Sequence, residues 1–287
     1  MSLVRVLRTS SVSLTHTFKV DEVPTDAASG VTVELRRLDG TLIASAAATH
    51  PGPPGQYAYT VPAQAQLDTL TLDWSGLVGG ATITARDFIE VVGGFLFDLD
   101  EARAAHKLDV NTYPSSVLAD KRTFIEQEAE AIGRRAFVPR FRRIQLTVTS
   151  LGCELVTPDL FLRAVRAISI NGTAMSAGEL ASIVPTAAGV LYRPGGYWPA
   201  GAWGAFPGVV VAEYEYGPDM APLYVRDAGI LRLRSVLGTT KSQIPDRATS
   251  FTVIDGGVYR LSTPGAYTTG IPDVDAAYQR DSYDGPV

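Results

Sequence analysis

The sequence predicts a mixed fold: an all-β sandwich over residues 1–93, then an α+β domain over residues 94–287 in which a long helix and shorter helices pack with antiparallel strands. Three observations predict it. Up to residue 93, apolar residues recur with a period of two, the pattern of half-buried strands. Beyond Gly93-Gly94 the period changes, and residues 114–141 carry a helical apolar stripe. The chain also holds 27 glycines and 18 prolines in 287 residues, above average usage, which favours turns and strands over a helical bundle.

In the first part Val12, Leu14, His16, Phe18 and Val20 alternate with polar residues, as do Val31, Val33 and Leu35. Asp39-Gly40 turns the chain toward Leu42 and Ala44, a strong short-range hairpin signal. Tyr57, Tyr59 and Val61 follow the Pro53-Pro54-Gly55 turn, and Leu70, Leu72 and Trp74 alternate again. Gly79-Gly80 then turns the chain toward Ile83 and Val91. About seven short strands at near-regular spacing predict an immunoglobulin-like sandwich; with no cysteine pair, the likeness is to the general architecture only.

After the glycine pair, Asp98-Leu99-Asp100-Glu101 reads as a capping box opening a short helix to about Leu108. The long helix is expected over residues 115–136, with Ser115 or Ser116 as its cap and Pro139 as its stop. Leu118, Ile125, Ala129, Ile132 and Ala136 share one face; Asp120, Thr123, Gln127, Glu130 and Arg134 lie opposite. Strands are predicted around Ile144–Val148, Leu160–Leu162, Val165–Ile170, Val190–Tyr192 and Val209–Tyr214, with Asn171-Gly172 as a hairpin turn. Residues 193–208, RPGGYWPAGAWGAFPG, read as a long loop carrying Tyr197, Trp198, Trp203 and Phe206. A helix over 221–237 has Pro222 in its first turn and Gly238 past its end. Residues 250–261 read as strand broken at Asp255-Gly256, and the tail turns helical for a turn or two after Pro272.

Composition excludes several function classes. With 25 basic and 30 acidic residues the net charge is −5, unlike a free-standing DNA-binding protein. The single Cys153, expected as a small core residue, excludes a disulfide framework and a cysteine metal cluster. No secretory leader and no apolar run of spanning length is read. His16, His50 and His106 are scattered without a second ligand at metal spacing, and His16 reads as a structural histidine. No nucleophile elbow, phosphate loop or dinucleotide fingerprint is present. Asp98, Asp100 and Glu101 cluster, and helix capping accounts for them, so no catalytic residue, metal or cofactor is expected.

Two features remain as interaction candidates. Arg134, Arg135, Arg140, Arg142 and Arg143 form a basic knot at the end of the long helix. It is either a solvated helix end, with a Glu130–Arg134 pair, or a surface for an acidic partner or passing nucleic acid. In the second reading, charge reversal at Arg140 and Arg142 blocks assembly and leaves the monomer folded. The aromatic loop either packs on its own sheet or offers Tyr197, Trp198, Trp203 and Phe206 for docking.

The order of segments from about Phe97 onward carries a resemblance. A short helix, a turn and a long helix ending in EAIGRRAFVPR lead into VRAISINGT; a Trp- and Gly-bearing loop precedes VVVAEYEYG, then a helix, then DRATSFTVIDGGVYRLSTPGAYTTGIPDVDAAY. Over about 190 residues this resembles the head-to-tail adaptor (connector) proteins of long-tailed bacteriophages, of the type that docks beneath the portal. The run from Asp246-Arg247-Ala248 through Thr263-Pro264-Gly265 to Gly270–Asp275 resembles adaptors of phages that infect actinobacteria. The specificity lies in order and spacing, not in one motif.

The resemblance implies a non-enzymatic structural protein of the virion neck, made in the host bacterial cytoplasm, with no cofactor and no membrane. It implies a homo-oligomeric ring, commonly of twelve copies, between the portal protein and a tail-completion (stopper) protein. Genomic DNA would pass through the channel without sequence readout. The C-terminal arm, about residues 264–287, would engage the portal, with Ile271, Pro272, Val274 and Tyr278 as contact residues. The sandwich of about 93 residues is an addition to the family pattern, placed to touch capsid or neighbouring subunits. The alternative is a virion accessory module that recognises capsid or host surface through the sandwich.

Overall fold

The structure, a computed structural model, describes residues 3–148, 152–198, 208–239, 250–252, 258–260, 268–280 and 282. The first part holds β1 (Leu3–Leu7), β2 (Val12–Thr17), β3 (Lys19–Val20), β4 (Val23–Pro24), β5 (Thr32–Arg37), β6 (Leu42–Ala47), β7 (Gln56–Val61), β8 (Asp68–Val78) and β9 (Ala81–Val92). A five-stranded sheet runs β1-β9-β8-β5-β6, and β2 pairs with β7. Their facing sides close a sandwich core in which Val33, Leu35, Leu72 and Trp74 meet Leu14, Tyr57 and Val61. This is the period-two pattern made physical, since alternate side chains fall on the buried face. Gly79 and Gly80 both have positive φ, 58° and 85°, and pair Val78 with Ala81 across a two-residue hairpin. His16 is half-buried between Phe18 and Trp74. Burial outweighs the pull of Asp87 and lowers its pKa, so it is a neutral packing residue.

The expected count of about seven strands misses β1. Strand β1 pairs parallel to β9, Leu3 with Phe88 through Leu7 with Val92. Five residues with one arginine in the middle give too short an alternation to read.

The rest holds α1 (Leu99–His106), α2 (Ser115–Gly133), β10 (Arg140–Val148), β11 (Glu154–Val156), β12 (Leu162–Ile170), β13 (Thr173–Ala174), α3 (Ala177–Ala181), β14 (Val184–Pro185), β15 (Val190–Tyr192), β16 (Gly208–Tyr216), α4 (Leu223–Thr239), β17 (Ser250–Thr252), β18 (Val258–Arg260) and α5 (Pro272–Gln279). Two more cores form. In the helical one, Leu118, Ile125, Ala129 and Ile132 of α2 pack with Val225 and Leu233 of α4, Val274 and Tyr278 of α5, and Phe97 and Phe137. In the sheet core, Ile168, Leu191, Val210 and Ala212 pack around Trp198. The sheet runs β10-β16-β12-β13, with β11-β15-β14 beside it. The architecture is therefore a β-sandwich followed by an α+β part.

Local chemistry revises several boundaries. Helix α2 ends at Gly133, well before Pro139, because Arg134 takes the left-handed conformation, φ 50°. Gly133 is fixed by crowding: a Cβ there would lie 2.7 Å from the Phe137 ring and 3.1 Å from the Tyr278 carbonyl oxygen. Ala136 consequently leaves the helical stripe and joins the sheet core. Pro114, not a serine, precedes α2, and Ser115 Oγ accepts from Arg103 instead. Asp98 makes no side-chain cap on α1; Glu101 pairs with Arg226 on α4. The capping box that does form is Ser176 with Glu179, opening the unforeseen α3. Gly238 lies inside α4 rather than past its end. Cys153 is half-buried rather than a core residue. Asn171 and Gly172 form the predicted hairpin turn, both at positive φ, and α5 begins at Pro272 as expected. The Asp255-Gly256 turn lies outside the described residues.

Candidate functional site

The basic knot is dispersed by the turn at Arg134. Arg140, Arg142 and Arg143 stand on strand β10, and their side chains meet three different environments. Arg140 is 1 % exposed and sits in a buried charge cluster. Its Nη2 lies 2.6 Å from Glu130 Oε1 and 3.5 Å from Glu126 Oε2, and its Nε lies 3.6 Å from Glu90 Oε1. Arg5 of β1 enters from the other side. Its Nε, Nη1 and Nη2 reach Glu90, Glu126 and Glu130 at 2.7, 2.8 and 2.7 Å. Glu126 Oε1 also accepts from Leu96 N–H at 2.7 Å.

Two guanidiniums, from β1 and β10, thus knit three carboxylates from β9 and α2. Burial alone would push Arg5 and Arg140 down; the three carboxylates outweigh it and hold both above their ordinary values. Arg122, on the same helix, donates to the Phe97 carbonyl and lies over the Phe95 ring at 3.3 Å. Its pKa is lowered by burial, against Glu126 and Asp98. The cluster is a structural clamp joining the sandwich to helix α2. It overturns the expectation that reversing Arg140 leaves the monomer folded.

Gly93 continues the clamp, its N–H bonding the Pro139 carbonyl at 3.0 Å. A Cβ on Gly93 would fall 2.6 Å from Pro139 Cβ. Arg143, exposed, spans toward Asp39 at 3.8 Å and Glu213 at 3.5 Å. Arg166 bonds both the Leu67 carbonyl and Glu215. A cleft of about 350 Å³ opens here, lined by Arg37, Asp39, Asp68, Arg143, Arg166 and Glu213.

Arg142 faces a second polar group. Its Nε lies 3.2 Å from Asp159 Oδ2 and its Nη2 3.4 Å from the Tyr216 hydroxyl. The Tyr214 hydroxyl donates to Asp159 at 2.7 Å. Burial raises Asp159, against Arg142 and the Tyr214 hydrogen bond. Burial also raises Tyr214, as does Asp159. Tyr216 is pushed up to about 12, chiefly by burial and against Arg142. An acid with a raised folded pKa keeps its proton longer in the folded chain. Stability therefore falls as pH climbs from the free tyrosine value near 10 toward 12. For Tyr216 alone the loss is on the order of 2–3 kcal/mol. Chemical denaturation between pH 9 and 12 checks this: Tyr216→Phe should flatten the alkaline limb, and an unchanged slope would contradict it.

The remaining sequence candidates divide between core and surface. Trp198 is fully buried and its Nε1 donates to the Leu191 carbonyl at 3.2 Å, so it packs on its own sheet. Tyr197 beside it is 69 % exposed. Trp203 and Phe206 lie outside the described residues. Val274 and Tyr278 are buried against α2 and α4, Ile271 is half-buried, and Pro272 is exposed. In this conformation the arm's apolar residues serve the chain's own core. Thr269 N–H and hydroxyl both donate to Asp275, fixing the start of α5.

A surface not foreseen from the sequence lies on the helices. Val117 and Phe124 of α2 are 40 and 48 % exposed, and Leu223 and Leu231 of α4 are 67 and 40 % exposed. Arg232 joins the two helices through paired 2.8 Å contacts to Glu128. The seven-residue spacing of Val117 and Phe124, off the buried stripe, was the available signal.

Among the described residues no group of three or more His, Cys, Asp or Glu side chains is placed to hold a metal ion. No described helix is long and apolar enough to cross a membrane. No protein-family profile matches the chain, and no curated protein matches it. One of the solved chains similar to this one covers 63 % of this chain and 87 % of its own length, at 15 % identity and a TM-score of 0.42. Its structure is described as the neck of an empty GTA particle computed with C6 symmetry. A likeness of that strength carries no argument about function.

Proposed function

We propose that this chain is a structural protein of a phage-type virion neck: a head-to-tail adaptor that forms a ring, of twelve copies, between portal and tail-completion proteins around the DNA path. The observation that carries the reading is the apolar outer face of the helical layer. Val117, Phe124, Leu223 and Leu231 are exposed on two helices locked together by Arg232 and Glu128. Exposed apolar side chains on a rigid helical face suit a permanent contact between protein subunits. The segment order from Phe97 onward supports the same reading. Residues 1–93 then form one domain, residues 94–287 the adaptor domain, and residues 264–287 its portal-directed arm. For Val274 and Tyr278 to touch portal, α5 must leave its groove; Tyr278, whose buried hydroxyl has no hydrogen-bond partner among the described residues, is the costly part of keeping it there.

Electron microscopy of the purified protein mixed with its portal tests this. Ring density beneath the portal is the expected result, and its absence ends the reading. Phe124→Asp with Leu231→Asp should abolish rings while the monomer keeps its unfolding midpoint. The accessory-module alternative predicts instead that deleting the sandwich spares neck assembly. The Arg5 clamp argues against that outcome, because the deletion strips Glu126 and Glu130 of a buried cation.

A further inference from the structure

Strand β6 is an edge of the five-stranded sheet, with β5 on one side and no strand on the other among the described residues. Two bonds just past its end fix the direction of its backbone groups. Ala48 N–H donates to the Val31 carbonyl at 2.8 Å, toward β5, and Thr49 N–H donates to the Ala58 carbonyl at 2.8 Å, toward β7. Backbone groups alternate sides along an antiparallel strand. Those of Ala44 and Ala46 therefore turn to β5, and those of Ser45 and Ala47 turn outward, as Thr49 does. No described residue pairs with the outward groups, and Ser45, Ala46 and Ala47 are all exposed.

Open edges are normally blunted by a charge, a proline or a bulge. Residues 41–49 read TLIASAAAT, with no charged residue and no proline. The bulge of this strand lies at its Leu42 end, where the register against Leu35 and Arg36 shifts, and residues 44–47 stay regular. The opposite edge of the sheet is treated differently: β1 lies against α2, with Arg5 fixed to Glu126 and Glu130.

We infer that the β6 edge seats the same strand of a second copy of this chain, antiparallel about a two-fold axis at Ala46. In that register Ser45 faces the partner's Ala47, and the outward groups of both strands close four N–H···O bonds. The lack of charge favours this occupant, because a strand laid antiparallel to itself here sets no like charges opposite one another. The contact is isologous, the same patch on both copies. It ends where β7 already holds Thr49 and where the bulge displaces Leu42. The inference concerns the chain in solution and does not rest on the neck reading.

Amide exchange followed by NMR, together with sedimentation of the full chain, is the test. As protein concentration rises, the Ser45 and Ala47 amides should slow in step with the appearance of dimer. Ala46 and Ala48, bonded to β5, should stay protected throughout. Ser45→Pro removes one outward donor from each copy, hence two of the four bonds, and spares the bonds to β5. It should weaken dimerisation about tenfold or more. Charge tests the same register without a proline in the strand. Chains carrying Ser45→Lys/Ala47→Lys and chains carrying Ser45→Glu/Ala47→Glu should each stay monomeric, and should associate when mixed. Phe124→Asp with Leu231→Asp should leave this dimer unchanged; loss of the dimer would place the contact on the helices and overturn the inference while sparing the neck reading. Exchange at Ser45 and Ala47 that does not change with concentration also overturns it, as does a dimer that survives in the proline and like-charge variants.

Discussion

Replacing Arg140 with methionine is expected to cost about 3–5 kcal/mol of folding stability, the penalty for stranding buried charge. Glu90, Glu126 and Glu130 would be left with Arg5 as the remaining cluster cation, and Glu126 is 2 % exposed at its side chain. Urea denaturation measures the loss directly. The size of the effect says nothing about how much the intact cluster stabilises the fold, because desolvating five charges consumes most of the Coulomb gain. A second variant separates the two quantities. Changing Arg5 and Arg140 to methionine together with Glu126 and Glu130 to glutamine removes the cations and their principal anions at once, and should cost less than Arg140→Met alone. If Arg140→Met shifts stability by less than about 1 kcal/mol, water reaches the cluster and the clamp is not a dry one.

The second large effect is at Gly217. This glycine follows β16 with φ at 96°, and its N–H bonds the Phe161 carbonyl at 3.0 Å. A Cβ there would fall 2.4 Å from the Val138 carbonyl oxygen, a backbone atom that cannot swing aside. Gly217→Ala adds left-handed strain to this overlap and should cost about 3 kcal/mol or more. Gly172 is the control. It has a similar positive φ, 82°, but open space where a Cβ would go, so Gly172→Ala should cost about 1 kcal/mol. Equal losses at the two sites would show that conformation alone, and not the close approach to Val138, sets the requirement at Gly217.

Much of the architecture is legible in the sequence because it rests on local periodicity. The alternation at Leu70, Leu72 and Trp74, the paired glycines at 79 and 80, and the stripe of Leu118, Ile125, Ala129 and Ile132 each report their own surroundings. What is not legible depends on residues distant in sequence. Arg140 reads as one of five helix-end cations, and nothing near it announces that Glu130 and Glu126 will bury it. Arg5 sits in a segment too short to be recognised as a strand. Helix α2 stops at Gly133 because Arg134 turns left-handed, and residue 133 must be glycine because the Phe137 ring and the Tyr278 carbonyl leave no room for a Cβ; Tyr278 is 145 residues further on. Trp198 reads equally well as a docking residue or a packing residue, and the Leu191 carbonyl decides it. The exposed set of Val117, Phe124, Leu223 and Leu231 escapes notice because each apolar residue, taken alone, reads as core.

Strand β1 also has a consequence for synthesis. Residues 3–7 leave the ribosome well before their strand partner β9, which emerges about 85 residues later. The carboxylates that receive Arg5 follow after 121 and 125 residues. At 5–20 residues per second the wait is roughly ten seconds. Until β9 is made β1 lacks its strand partner, and until α2 is made a cation destined for burial stays in water. The charge cluster around Arg5 is complete only when α2 and β10 have been translated. Such long-range closure slows folding and makes the interval before residue 140 emerges the one in which a chaperone has most to offer.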